Sequence, residues 1–167
     1  MTKQVLLGTA LLLPLAAVAA DFQPLAMKPG LWEVTLESKI QFPDAMLANM
    51  PPQARAAMAG RGGQSTVVKS CMTKESMSRA FDFNNDPKKT CQYTIVSSTP
   101  TRQEVNVDCT TKSGKSTGKM VFEAISPEAG KGTVDLTMEM GAGGTMKSTM
   151  VISSKYLGSD CGDVKPK

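Results

Sequence analysis

CQYTIVSSTPTRQEVNVDC, residues 91–109, decides the architecture. With Thr99-Pro100-Thr101 as a three-residue turn, residues whose numbers sum to 200 face each other: Ser98 meets Arg102, Val96 meets Glu104, Ile95 meets Val105, Tyr93 meets Val107 and Cys91 meets Cys109. Side chains alternate faces along a strand, so the odd-numbered set Tyr93, Ile95, Val105, Val107 and both cysteines shares one apolar face. Gln92, Thr94, Asn106 and Asp108 occupy the other. That division predicts a half-buried antiparallel hairpin with a cross-strand disulfide between Cys91 and Cys109.

Working outward, Lys112-Ser113-Gly114-Lys115 suits a two-residue hairpin loop with Gly114 supplying the positive φ. Pairs then sum to 227, with Gly118 opposite Cys109, Met120 opposite Val107 and Phe122 opposite Val105. Val134, Leu136, Met138 and Met140 continue the even-numbered apolar set. After the turn Gly141–Thr145, a sum of 286 sets Met140 opposite Met146, Leu136 opposite Met150 and Val134 opposite Ile152. Five consecutive strands keep one apolar face in phase, which a one-residue slip would destroy. The fold expected is all-β, mainly an antiparallel meander, with one or two short helices. A curled sheet or partly open barrel, a closed barrel and a sandwich remain alternatives.

The rest of the chain fits around this meander. LWEVTLESKI predicts a first strand with Trp32, Val34, Leu36 and Ile40 on one face. Residues 43–63 form a Met- and Pro-rich insertion, in which PPQARAAMAG predicts a short helix started by proline and ended by Gly60. It covers one mouth of the sheet or lies on the surface. TVVKSCM predicts a second strand, and Thr73 caps a short helix running to Ala80. Cys161 pairs with Cys71 by elimination, leaving 162–167 as a flexible tail.

The N-terminus carries the pattern of a secretory signal: Lys3, an apolar run from Val5 to Val18, and a small-residue cleavage site near Ala19 or Ala20. The run is too short for a span of about 20 residues. Residues 1–20 are therefore expected to be removed, leaving residues 21–167 as one β-rich exported domain that does not span the membrane. Cleavage removes only Lys3, so the formal charge falls from +4 to +3. Five Phe, two Tyr and one Trp give no basic-aromatic strip for nucleic acid. The even cysteine count of an exported chain points to two disulfides.

Lys28-Pro29-Gly30-Leu31-Trp32-Glu33-Val34-Thr35, the Met/Pro-rich insertion, Ser70-Cys71-Met72-Thr73-Lys74-Glu75 and the cysteines at 91, 109 and 161 together resemble the domain-of-unknown-function 3617 family of small exported proteobacterial proteins. The resemblance runs from Lys28 to Cys161. It implies a periplasmic location and lends no catalytic residues.

Several fragments imitate catalytic or metal motifs. Gly114-Lys115-Ser116-Thr117-Gly118 lacks the upstream glycine and following helix of a P-loop. As a nucleophile elbow it would need a histidine partner for Ser116, and the chain has no histidine. Asp82-Phe83-Asn84-Asn85-Asp86 starts like a calcium loop, but Pro87 replaces the glycine and Tyr93 the twelfth-position Glu. Met138, Met140, Met146 and Met150 could gather as Cu(I) thioethers, yet they lie on the apolar face, where Met is a common filler. No metal, cofactor or catalytic residue is expected, and Glu104 and Asp108 form no recognisable catalytic pair. The function expected is a non-enzymatic binding or envelope-accessory module. An apolar, lipid-like ligand would be lined by Trp32, Ile95, Met120, Phe122, Leu136, Met138 and Met150. The same side chains form a filled core in the plainer reading. The alternative function is a protein-interaction module acting on an envelope protein through a sheet edge or the Met-rich insertion.

Overall fold

The computed structural model describes residues 22–59, 63–78, 90–111, 114–141 and 144–166. Seven strands form one antiparallel sheet: β1 (Gly30–Gln41), β2 (Gln64–Met72), β3 (Cys91–Ser98), β4 (Arg102–Thr111), β5 (Gly114–Ser126), β6 (Ala129–Glu139) and β7 (Thr145–Gly158). Their order is β2-β1-β7-β6-β5-β4-β3. The meander β3 to β7 is contiguous, and β1 and β2 add beyond β7. β2 and β3 are the two edges, so the sheet does not close. Three short helices complete the described elements: α1 (Asp44–Ala48), α2 (Pro52–Ala59) and α3 (Lys74–Ser78). α2 is the helix expected after Pro51-Pro52, and α1 is an addition to the expected set. The α3 cap is reciprocal: Thr73 Oγ1 accepts from Ser76 N–H at 3.0 Å, and Ser76 Oγ accepts from Thr73 N–H at 3.0 Å. The signal segment, the calcium-like stretch from Asp82 to Asp86, Gly60, Ala80 and the Lys112-Ser113 turn lie outside the described residues.

Alternation is preserved across the sheet, but three registers differ from expectation. Cys91–Cys109, Tyr93–Val107 and Ile95–Val105 pair as expected, whereas a bulge at Val96 pairs Glu104 with Ser97 and Gln103 with Ser98. The extra residue tightens the turn to Pro100-Thr101, with Thr99 N–H donating to Arg102 O at 2.8 Å. Between β4 and β5 the pairs sum to 225: Met120 meets Val105, Gly118 meets Val107 and Thr111 meets Gly114. Between β6 and β7 they sum to 284: Met138 meets Met146 and Val134 meets Met150. Both slips are two residues, which leaves every side chain on its expected face.

The inward face carries Val34 and Leu36 on β1, Met150 and Ile152 on β7, Val134, Leu136 and Met138 on β6, Met120 and Phe122 on β5, and Val105 and Val107 on β4. Among the described residues, the buried apolar side chains are Trp32, Cys71, Val105, Val107 and Cys109. Both expected disulfides form. Cys91 and Cys109 are directly opposed in β3–β4, while Cys71–Cys161 ties the end of β2 to the segment after β7. Pro166 forms a bridge beside Cys71.

The outward face is charged. Lys119 reaches Glu104 at 2.6 Å, Arg102 reaches both Glu104 at 3.0 Å and Glu123 at 2.9 Å, and Lys131 reaches Glu123 at 2.8 Å. The hydrogen bonds from Lys119 and then Arg102 hold the Glu104 carboxyl below the usual carboxylate range, and those from Lys131 and then Arg102 do the same for Glu123.

Candidate functional site

The segment 22–29 before β1 forms a strap across one end of the inward face. Gln23 N–H donates to Ser98 Oγ at 2.8 Å, and the Gln23 carbonyl accepts from the Gln103 side-chain amide. Ala26 N–H donates to Pro100 O at 2.7 Å, and Lys28 N–H to Pro127 O at 2.9 Å. The strap thus passes from the β3–β4 turn over the β5–β6 turn to β1. Its far end is fixed by Trp32, whose indole N–H donates to Lys28 O at 2.9 Å and whose ring meets Tyr156 edge-on at 5.5 Å between centroids. Lys28 pairs with Glu128 and lies 5.6 Å from the Tyr156 ring centroid. The Glu128 hydrogen bond raises the Lys28 pKa.

Strap and sheet border a cavity of about 360 Å³ that is partly open to solvent. Leu25 and Met27 of the strap form one wall. Val34 of β1, Ile152 and Ser154 of β7, Gly130 of β6, Met120 and Phe122 of β5, Gln103 of β4 and Met72 of β2 form the rest. Strands β2 and β4 are five places apart in the order, or about 24 Å in a flat sheet with strands about 4.8 Å apart. Met72 and Gln103 meet one cavity of this size only because the sheet curls. Gly130 lies in its wall, where a Cβ would come 2.7 Å from Ser154 Oγ and 2.9 Å from the Met27 methyl.

The lining is apolar with few polar atoms. Gln103 is 3% exposed, and its amide is committed to the strap. Glu123 and Lys131 touch the rim and pair with each other across adjacent strands. Among the described residues, no three His, Cys, Asp or Glu side chains gather as a metal-ligand set.

Of the side chains expected to line a site, Met120 and Phe122 do so. Trp32 is fully buried beside the strap's end. Ile95, Leu136, Met138 and Met150 share the inward face but lie away from the cavity, with Met138 paired to Met146 toward the opposite end of β6. Ser116, the second residue after Gly114 in β5, pairs with Cys109 inside the sheet rather than at a strand-to-helix elbow. Leu25, Met27, Val34, Met72, Gln103, Gly130, Ile152 and Ser154 were outside the expected lining. The alternation of Leu25 and Met27 was the available signal for the strap. None of the described helices is long and apolar enough to cross a membrane.

No curated protein matches the chain in sequence. The family described as "Protein of unknown function (DUF3617)" matches residues 27–161, from the middle of the strap to the second cysteine of the β2 bridge, and the chain belongs to that family.

Proposed function

We propose that this chain is an exported periplasmic binding module, without catalytic activity, that holds an apolar ligand between the strap and the curled sheet. The observation that carries the reading is the cavity, whose volume falls within the range of small-molecule sites and whose walls come from six strands and the strap. A well-filled interior leaves few voids larger than a water molecule. Two disulfides support an oxidising compartment, as does the N-terminal signal pattern. The chemistry of the side chains supports binding over catalysis. The chain lacks histidine, and the displaced carboxyls, Glu104 and Glu123, are held ionised by cations on the outward face. Native mass spectrometry of the protein purified gently from its own periplasm tests the reading. The expected result is the mature mass, less the hydrogens of two disulfides, plus an adduct released by organic solvent. Bare protein from such a preparation, with no adduct regained from a periplasmic lipid extract, would refute ligand binding.

A second reading, a module for protein partners, is favoured by the β2 edge, where Val67 and Val68 are 58% and 40% exposed. An open edge accepts an added strand. Proline at Val67 would abolish capture of such a partner and leave ligand loading intact.

A further inference from the structure

We infer that the ligand is a single-chain amphiphile, bound by an alkyl tail of about a dozen carbons with its head group left in water. This inference rests on the binding reading above and names its substrate class. The shape of the cavity carries it. Each strand contributes at most two inward positions to the lining, such as Met120 and Phe122 on β5 or Ile152 and Ser154 on β7. Two such positions span roughly 7 Å along a strand, while the lining extends across six strands. The space is therefore a curved trough, narrow along the strands and wrapping across six of them, with Leu25 and Met27 running over it. A linear chain fits that shape better than a fused-ring ligand.

The volume sets the length. A methylene displaces about as much space as a liquid water, roughly 30 Å³, so the cavity of about 360 Å³ takes about twelve. A second chain of equal length would need twice the room. Chemistry sets the orientation. The Gln103 amide is bonded to the strap, Lys28 is paired with Glu128, and Lys131 is paired with Glu123. No described cation is left over inside the trough to neutralise a buried carboxylate or phosphate, and an unpaired charge there would be strongly disfavoured. The protein thus reads the tail and leaves the head in solvent.

The test is a calorimetric titration of the delipidated mature protein with alkanoates of 8 to 16 carbons, below their micelle concentrations. Dodecanol, dodecyltrimethylammonium and vesicles of dilauroylphosphatidylcholine complete the series. Affinity should rise roughly fourfold per added methylene and level off near twelve carbons. The three dodecyl head groups should bind within a few-fold of one another, and the vesicles should not load the protein. Ser154→Phe, which places a ring in the trough, should move the plateau to shorter chains; Ile152→Phe serves if that variant does not fold. Affinity that keeps climbing to sixteen carbons, a plateau unmoved in a folded variant, loading from the vesicles, or a tenfold dependence on head charge would each overturn the inference while leaving apolar binding in place. Absence of binding by every chain would overturn both.

Discussion

Trp32→Phe tests whether the strap's anchor stabilises the fold. Trp32 is the largest fully buried side chain, at 0% exposure. Phenylalanine retains a ring beside Tyr156 but removes the indole N–H that reaches Lys28 O at 2.9 Å. Loss of that hydrogen bond costs about 1 kcal/mol. The two missing carbons add about 1.6 kcal/mol at roughly 0.8 kcal/mol per buried methylene equivalent, the missing nitrogen being counted in the hydrogen bond. The expected total is about 2–3 kcal/mol, below the roughly 3–5 kcal/mol of complete Trp truncation to Ala, as a partial truncation should be. At about 2.1 cal/mol/K of unfolding entropy per residue, a mature chain of about 147 residues loses roughly 8 °C in Tm. Urea unfolding followed by far-UV circular dichroism measures this, since the variant lacks the protein's one tryptophan. Val67→Ala, at a position 58% exposed, is the control and should stay within about 0.5 kcal/mol of wild type. A Trp32→Phe cost no larger than that control would refute the anchoring role.

Replacing Cys71 and Cys161 by Ala should destabilise more than replacing Cys91 and Cys109, because the bridges close separations of 90 and 18 residues; chain entropy gives about 4.6 and about 3.2 kcal/mol. Urea midpoints of the two paired variants decide it, and the reverse order would contradict the argument. Glu104 and Glu123 have folded pKa values below their unfolded ones, so their contribution is present above the ordinary Glu range near pH 4.3 and is lost as pH falls through the lowered values. Glu104→Gln should therefore flatten the decline of Tm between about pH 5 and pH 3, an effect shared by added salt; an unchanged acid slope would show that the outward ion pairs do not contribute. Gly30→Ala should lower Tm by several degrees, since φ is +139° and the new Cβ would sit 2.3 Å from Gly158 O. A wild-type Tm for that variant would contradict the close β1–β7 approach.

Alternation made the faces of the sheet legible, and it also limits what sequence can give. From Tyr93 to Ile152 the inward residues are those that the apolar period picks out, yet two of the registers are shifted by two. A two-residue slip preserves every face, so hydrophobic pattern alone does not detect it, and the turn must decide. Gly114 was read as a loop residue and instead pairs with Thr111 in the strands. The bulge at Val96 did leave a trace, because Ile95-Val96 breaks the alternation and Ser97 follows where an inward residue was due. The strap left a weaker one. Its hold on the sheet comes mainly from backbone groups meeting Ser98, Pro100 and Pro127, and such bonds have little dependence on side-chain identity. Beside the alternation of Leu25 and Met27, Gln103 in an otherwise apolar position was a second side-chain clue.

The small buried set and the cavity belong to one arrangement. The buried apolar residues cluster on β4 and around Trp32, while Val34, Leu36, Met120, Phe122, Met150 and Ile152 on the same face stay half-buried. Because few described apolar side chains on that face are fully buried, the bridges at Cys71–Cys161 and Cys91–Cys109, which hold the sheet's two edge strands, carry more of the stability. Met72 follows Cys71 directly and lines the cavity. The cross-link that secures the β2 edge therefore also positions one wall of the trough, just as the Gln103–Gln23 bond positions another. Cross-links at the edges and a strap at one end let the space beneath the strap remain unfilled. A bound tail would complete the missing core, and folding and loading would then be linked, with stability rising as RT ln(1 + [L]/Kd).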